Sequence, residues 1–84
     1  MNNLQMKAID AFIFNLKHIM YVKELNQQDL ADSIGVSKQQ VNNILKNADS
    51  VSLKTVAKIA KALKIEETDL FDPTFQDRYK KKVK

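Results

Sequence analysis

A chain of 84 residues forms one domain, large enough to fold alone and too small to wall an elaborate buried cleft. Its lack of cysteine excludes a disulfide scaffold and a thiolate metal site; with no bilayer-length apolar run and no signal-peptide pattern, a soluble, cytoplasmic protein is expected. The net charge of +4 is carried by the end of the chain: residues 1–72 balance, and Arg78, Lys80, Lys81, Lys82 and Lys84 oppose only Asp77.

Helices are expected throughout, because one Gly and one Pro interrupt the chain and strand-like alternation never lasts. The first runs from about Leu4 to Lys23 with Asn3 as a cap, since Ile9, Phe12, Ile13, Leu16, Ile19 and Met20 recur at three- and four-residue steps. Asn26, Gln27, Gln28 and Asp29 read as a capping box opening a second, short helix. Gly35, the sole glycine, ends that helix where a left-handed conformation is needed. Ser37 caps a third helix, with Gln40 placed to complete a second capping box and Asn47 to take the left-handed C-terminal position. Val41, Ile44 and Leu45 supply its inner side.

Ser52 caps a fourth helix with Leu53, Val56, Ala57, Ala60 and Leu63 inward and Lys54, Lys58 and Lys61 outward. A fifth, about Glu66 to Phe71, covers the core with Leu70 and Phe71, its first-turn acids suiting the helix dipole. Pro73 marks the end of the fold, so the domain spans 1–72 and residues 73–84 form a basic, flexible tail. Between residues 36 and 64 the Lys residues meet only Asp49, whereas Glu66, Glu67, Asp69 and Asp72 cluster after them, which polarises the body into basic and acidic regions.

Two short helices joined through a glycine-containing turn of about four residues are a helix-turn-helix, here at roughly Asn26 to Asn47. Each position has a physical reason. Leu30 and Ile34 anchor the first helix, and Ala31 is small because the second helix crosses close above it. Gly35 makes the turn, while Val36, Val41 and Ile44 lock the second helix at a fixed angle. Opposite Val41 and Ile44, at about 100° per residue, lie Gln39, Asn43 and Lys46, flanked by Asn42 and Lys38. Gln and Asn amides pair bidentately with adenine N6 and N7, and Lys suits guanine O6 and N7 or a phosphate.

On LNQQDLADSIGVSKQQVNNIL and SLKTVAKIAKALKIEETDLF, the stretch Leu25 to Phe71 resembles the phage repressor and Cro family of helix-turn-helix proteins, also called XRE-like. The resemblance covers more than half of the chain. It implies an all-α, lambda-repressor-like DNA-binding domain, a compact bundle of about five helices, of bacterial or phage type. It further implies operator binding as a homodimer, with Gln27 on a phosphate and Ser37, Lys38, Gln39, Asn42 and Asn43 facing the major groove of double-stranded DNA. Four positions depart from the family pattern. Asn47 and Lys64 replace frequent glycines, so the fourth helix is either strained at its end or terminates differently; Asp49 sits in a loop where basic residues are common; and Leu45 replaces a usual polar residue, packing on the fourth helix or on a partner.

Other features have competing readings. Gln40 is lateral, and its capping role is sufficient to explain it. Lys54, Lys58 and Lys61 read as a solubilising side, with Lys54 alone, near a helix N-terminus, joining the DNA contacts. His18 lacks partners at metal-ligand spacing and reads as a surface residue. Phe14 and Tyr21 are excess core or a subunit contact, while Phe75 and Tyr79 either extend the last helix against a partner or lie in a disordered tail. The dimer contact is expected around the fifth helix and tail, with Leu45, Phe14, Tyr21, Phe75 and Tyr79 as apolar candidates. No enzyme site, cofactor, metal or small-molecule ligand is expected, since the chain has no Gly-rich phosphate loop and no paired carboxylates in an apolar setting. The leading function is a sequence-specific transcriptional regulator that represses from an operator. The alternatives are an antitoxin-type interaction module that also binds its own promoter and a restriction-modification controller protein.

Overall fold

Local hydrogen bonds set most helix ends in this chain, and tertiary burial sets the remainder. The structure, a computed structural model, describes residues 7–48 and 51–75. These form five helices: α1 (Ala8–Lys23), α2 (Gln27–Ile34), α3 (Lys38–Lys46), α4 (Leu53–Leu63) and α5 (Glu67–Leu70). Helix α1 starts later than the apolar spacing predicts, because Lys7 is extended (φ −70°, ψ 154°); the expected cap Asn3 lies outside the described residues. The inner side of α1, with Phe12, Leu16 and Ile19 fully enclosed, packs on α3 and α5. Burying each such side chain contributes about 1.5–3 kcal/mol relative to leaving it in water. The Phe12 and Phe71 rings stack with centroids 5.4 Å apart.

Three helices end the same way. A left-handed residue follows the last turn, and the residue after it donates to a carbonyl in the preceding turn: Leu25 N–H to Met20 O (2.8 Å), Val36 N–H to Ala31 O (3.0 Å) and Ile65 N–H to Ala60 O (3.0 Å). Leu25, Val36 and Ile65 also pack against the core, which is the apolar contact that accompanies this end. Only the middle case uses glycine, Gly35 at φ 74°; the others hold Glu24 at φ 58° and Lys64 at φ 61°. The fourth helix therefore ends where its family pattern places a glycine, and with strain. Lys64→Gly is expected to stabilise the fold by about 0.5–1 kcal/mol, seen as a rise of several degrees in the thermal midpoint; an unchanged or lower midpoint would show that Ile65 packing already absorbs the strain.

The structure corrects several expectations. Asn47 is not left-handed but extended (φ −158°, ψ 100°), and this step carries Ala48 fully into the core. Leu53 has the right wheel position yet is 80% exposed, because no described residue covers the first turn of α4; Ile59, absent from the expected inner side, is fully buried in its place. Leu45, by contrast, packs into the core as its inner-side position predicts. Nor does Pro73 end the packing. Asp72 Oδ1 accepts from the backbone N–H and the hydroxyl of Thr74 (both 2.8 Å), Phe75 N–H donates to Asp72 O (3.0 Å), and the turn returns Phe75 to the core at 3% exposure. Tyr79 and the basic residues after it lie outside the described residues. His18 is half-buried rather than a surface residue, with Nε2 enclosed.

One buried polar residue ties the ends of the fold together. Asn15 is fully buried on α1, and its amide nitrogen donates toward the carbonyl oxygens of Asp69 (3.2 Å), Leu70 (3.0 Å) and Asp72 (2.8 Å). It thereby supplies donors to the C-terminal end of α5, a four-residue helix too short to satisfy its own last carbonyls.

Candidate nucleic-acid interface

The site is built on α2 and α3. Asn26 is extended and its Oδ1 accepts from Asp29 N–H (2.7 Å), while Asp29 Oδ2 accepts from Asn26 N–H (2.9 Å), so both arms of the α2 capping box are made. Ser37 Oγ accepts from Gln40 N–H (3.0 Å) and starts α3 three residues after α2 ends, one fewer than the expected turn. The reciprocal arm from Gln40 is not made among the described residues, so α3 has a cap but no capping box. Leu30, Ala31 and Ile34 of α2 meet Val41, Ile44 and Leu45 of α3 in the core. Ala31 is completely enclosed, as a close helix crossing requires.

That packing leaves the opposite side of α3 open. Lys38, Gln39, Asn43 and Lys46 are all exposed there, and Ser37 is exposed at its N-terminus. Gln39 Nε2 donates to Asn43 Oδ1 (3.0 Å), joining the two amides one turn apart. That bond leaves Gln39 Oε1 able to accept and the Asn43 amide hydrogens able to donate. Asn42 differs from its neighbours: it is half-buried and its Nδ2 donates across the motif to Gln27 Oε1 (3.2 Å). Its amide is already engaged in holding the first residue of α2, which leaves the Gln27 amide hydrogens as donors beside that helix N-terminus.

Gln40 does not take the capping-box role expected of it. Freed from capping, it lines an open cleft of about 340 Å³ with Asn43, Ile44, Asn47, Val51, Ser52 and Thr55, between α3 and the start of α4. Ser52 caps α4 by accepting from Thr55 N–H (3.1 Å). Lys54, on that first turn, is exposed, whereas Lys58 and Lys61 border a separate depression with Ser33, Ile34 and Ala62. Asp49 lies outside the described residues.

A family model for the Cro/C1-type HTH DNA-binding domain matches residues 15–76, from within α1 to one residue past Phe75. The chain belongs to this Cro/C1-type family. It is accordingly a DNA-binding transcriptional regulator, and the family assignment matches the resemblance read from the two sequence blocks that begin at Leu25 and Ser52. The fold of the restriction-modification controller protein C.Esp1396I, solved as a crystal structure of an alanine variant, is similar: the TM-score is 0.67 at 23% identity, covering 82% of this chain and 90% of that one. At that identity the likeness speaks for the fold alone. No curated protein sequence matches the chain. Among the described residues of this Cro/C1-type protein, no helix is long and apolar enough to cross a membrane, and no group of metal-ligating side chains is found.

Proposed function

We propose that this protein acts in the cytoplasm as a repressor that binds a palindromic operator as a homodimer, without catalysis of its own. The single observation that carries the reading is the open side of α3, where the uncharged amides of Gln39 and Asn43 lie between Lys38 and Lys46 on a helix fixed by core packing. Amides in that position read base edges in the major groove, and the flanking lysines meet guanine or phosphate. Gln27, Ser37 and Lys54 contact the backbone, Asn42 serves the interface through its bond to Gln27, and Gln40 adjoins the groove contacts.

One recognition helix reads few base pairs, so operator specificity calls for two copies with half-sites about 34 Å apart, on one side of the duplex. A duplex selected from a random library is expected to have dyad symmetry and to bind two chains by light scattering. One chain on a site without symmetry would overturn the dimer and leave the motif standing. The basic residues beyond Phe75 neutralise phosphates without reading sequence. Truncation after Phe75, which keeps every described core residue, is expected to flatten the dependence of log affinity on log salt by about 0.9 for each phosphate that is no longer neutralised; an unchanged slope would remove the tail from the interface.

The likeness to a restriction-modification controller protein favours one second reading, in which the operator lies before genes for a methyltransferase and a nuclease. Its mark would be an operator placed before such a pair of reading frames, and activation as well as repression in a reporter assay.

A further inference from the structure

Helix α1 carries a second stripe, on the side away from the core. At about 100° per residue, Lys7, Asp10, Phe14, Lys17, Tyr21 and Glu24 fall within an arc of roughly 100°. All six are exposed, and Phe14 and Tyr21, at 46% and 82%, are two of the three large apolar side chains that the described fold leaves in water. No side-chain hydrogen bond or ion pair among the described residues engages the four charged members.

The order of these residues is self-complementary. Two copies of α1 laid antiparallel, with the two-fold axis between Asn15 and Leu16, oppose Lys7 to Glu24, Asp10 to Tyr21 and Phe14 to Lys17 of the second copy, and each pairing occurs twice. Each match has its own chemistry: an ion pair, a phenol donating to a carboxylate, and an ammonium over an aromatic ring. A second observation points the same way. Lys7 sits at the positive N-terminal end of the helix dipole and Glu24 at the negative C-terminal end, each at the end that its charge disfavours. Glu24 also occupies a left-handed position, at φ 58°. Within one chain these choices oppose helix stability; across an antiparallel pair, each charge faces both its opposite and the favourable end of the partner's dipole. Such local violations mark positions kept for something other than folding.

We propose that α1 is a self-association surface whose occupant is α1 of a second copy, in an antiparallel two-fold pair. Because α1 meets α3 through its buried side, this pairing leaves the open side of α3 accessible, and it does not rest on the DNA reading. A single pair of helices of 16 residues is a small interface, below the standard class of about 1,200–2,000 Å². The association is therefore weak and is sought at on the order of 100 µM protein.

Sedimentation equilibrium of the full chain without DNA tests the proposal. The unmodified protein is expected to dimerise, and Lys7→Glu or Glu24→Lys alone to weaken the dimer by about tenfold, since either creates two like-charge contacts. The double variant Lys7→Glu/Glu24→Lys is expected to restore it to within about twofold of the unmodified chain. Tyr21→Ala should weaken the dimer and Leu53→Ala, the other exposed apolar residue, should not. Helical circular dichroism is expected to be unchanged in all of them. A chain that stays monomeric throughout, single reversals without effect, a double variant that is not rescued, or a dimer lost on Leu53→Ala would each overturn the proposal.

Discussion

Asn15→Leu is expected to destabilise the domain by about 2–4 kcal/mol, a large share of the roughly 5–15 kcal/mol that holds a domain of this size. Leucine branches at the same carbon as asparagine and is the bulkier of the two, so the core is not emptied; the loss comes from the carbonyls of Asp69, Leu70 and Asp72, left without the amide that faces them, and from crowding by the larger side chain. An amide offers two hydrogens to three oxygens here, so one hydrogen is shared, and the loss falls short of three full hydrogen bonds. Asn15→Asp keeps the shape and reverses the polarity, setting a carboxylate against three carbonyl oxygens. It is expected to cost more than leucine at neutral pH, with the deficit shrinking as acid protonates the new carboxyl group and restores a donor. Urea denaturation monitored by circular dichroism reads both, with an unchanged slope and a shifted midpoint. A leucine variant within about 0.5 kcal/mol of the unmodified chain would show that α5 holds to α1 through Phe71, Leu70 and Phe75 without the amide.

Gln39→Ala and Asn43→Ala are each expected to weaken specific binding by about 1–3 kcal/mol and to relax selectivity at one base pair, with little change on scrambled duplex. Because the two amides are bonded to each other at 3.0 Å, their effects should not add. Removing either frees the other to turn, so the double variant is expected to depart from the sum of the singles by at least about 0.5 kcal/mol. Asn42→Ala should behave differently. Its amide lies on Gln27, so its loss should weaken selected and scrambled duplexes alike, in parallel with Gln27→Ala. Titration of the four variants against both duplexes sorts them. Equal losses on both for Gln39→Ala and Asn43→Ala would make these residues backbone contacts and move base reading elsewhere on α3.

Residues whose partners are close along the chain were legible from sequence. The boxes and caps at Asn26, Ser37 and Ser52 are bonds between positions three apart, and Gly35 answers a conformational demand of a single residue. The seven positions of the helix-turn-helix are equally legible, since helical spacing alone sets which side each takes. From these follow the fold class, the motif and the open side of α3. The capping box at Gln40 is not made although its spacing is right; spacing permits a reciprocal side-chain arm but does not require it, and Gln40 borders the cleft beside α4 instead.

Only the tertiary structure decided the features whose partners are distant. Helical spacing does not single out Asn15, whose part depends on residues 54 to 57 positions away that supply carbonyls. Phe75 reads as tail until the turn at Asp72 returns it to the core. Asn47 gives up the left-handed conformation that its type favours because burying Ala48 requires an extended step, whereas Lys64 adopts one against its type because Ile65 gains a place in the core. In each case a local preference worth about 1 kcal/mol or less yielded to burial worth about 1.5–3 kcal/mol per side chain. Leu53 shows the same balance from the other side: its wheel position is inward, but helix spacing sets only a direction, and burial also needs a neighbour there, which the packing of α4 does not provide.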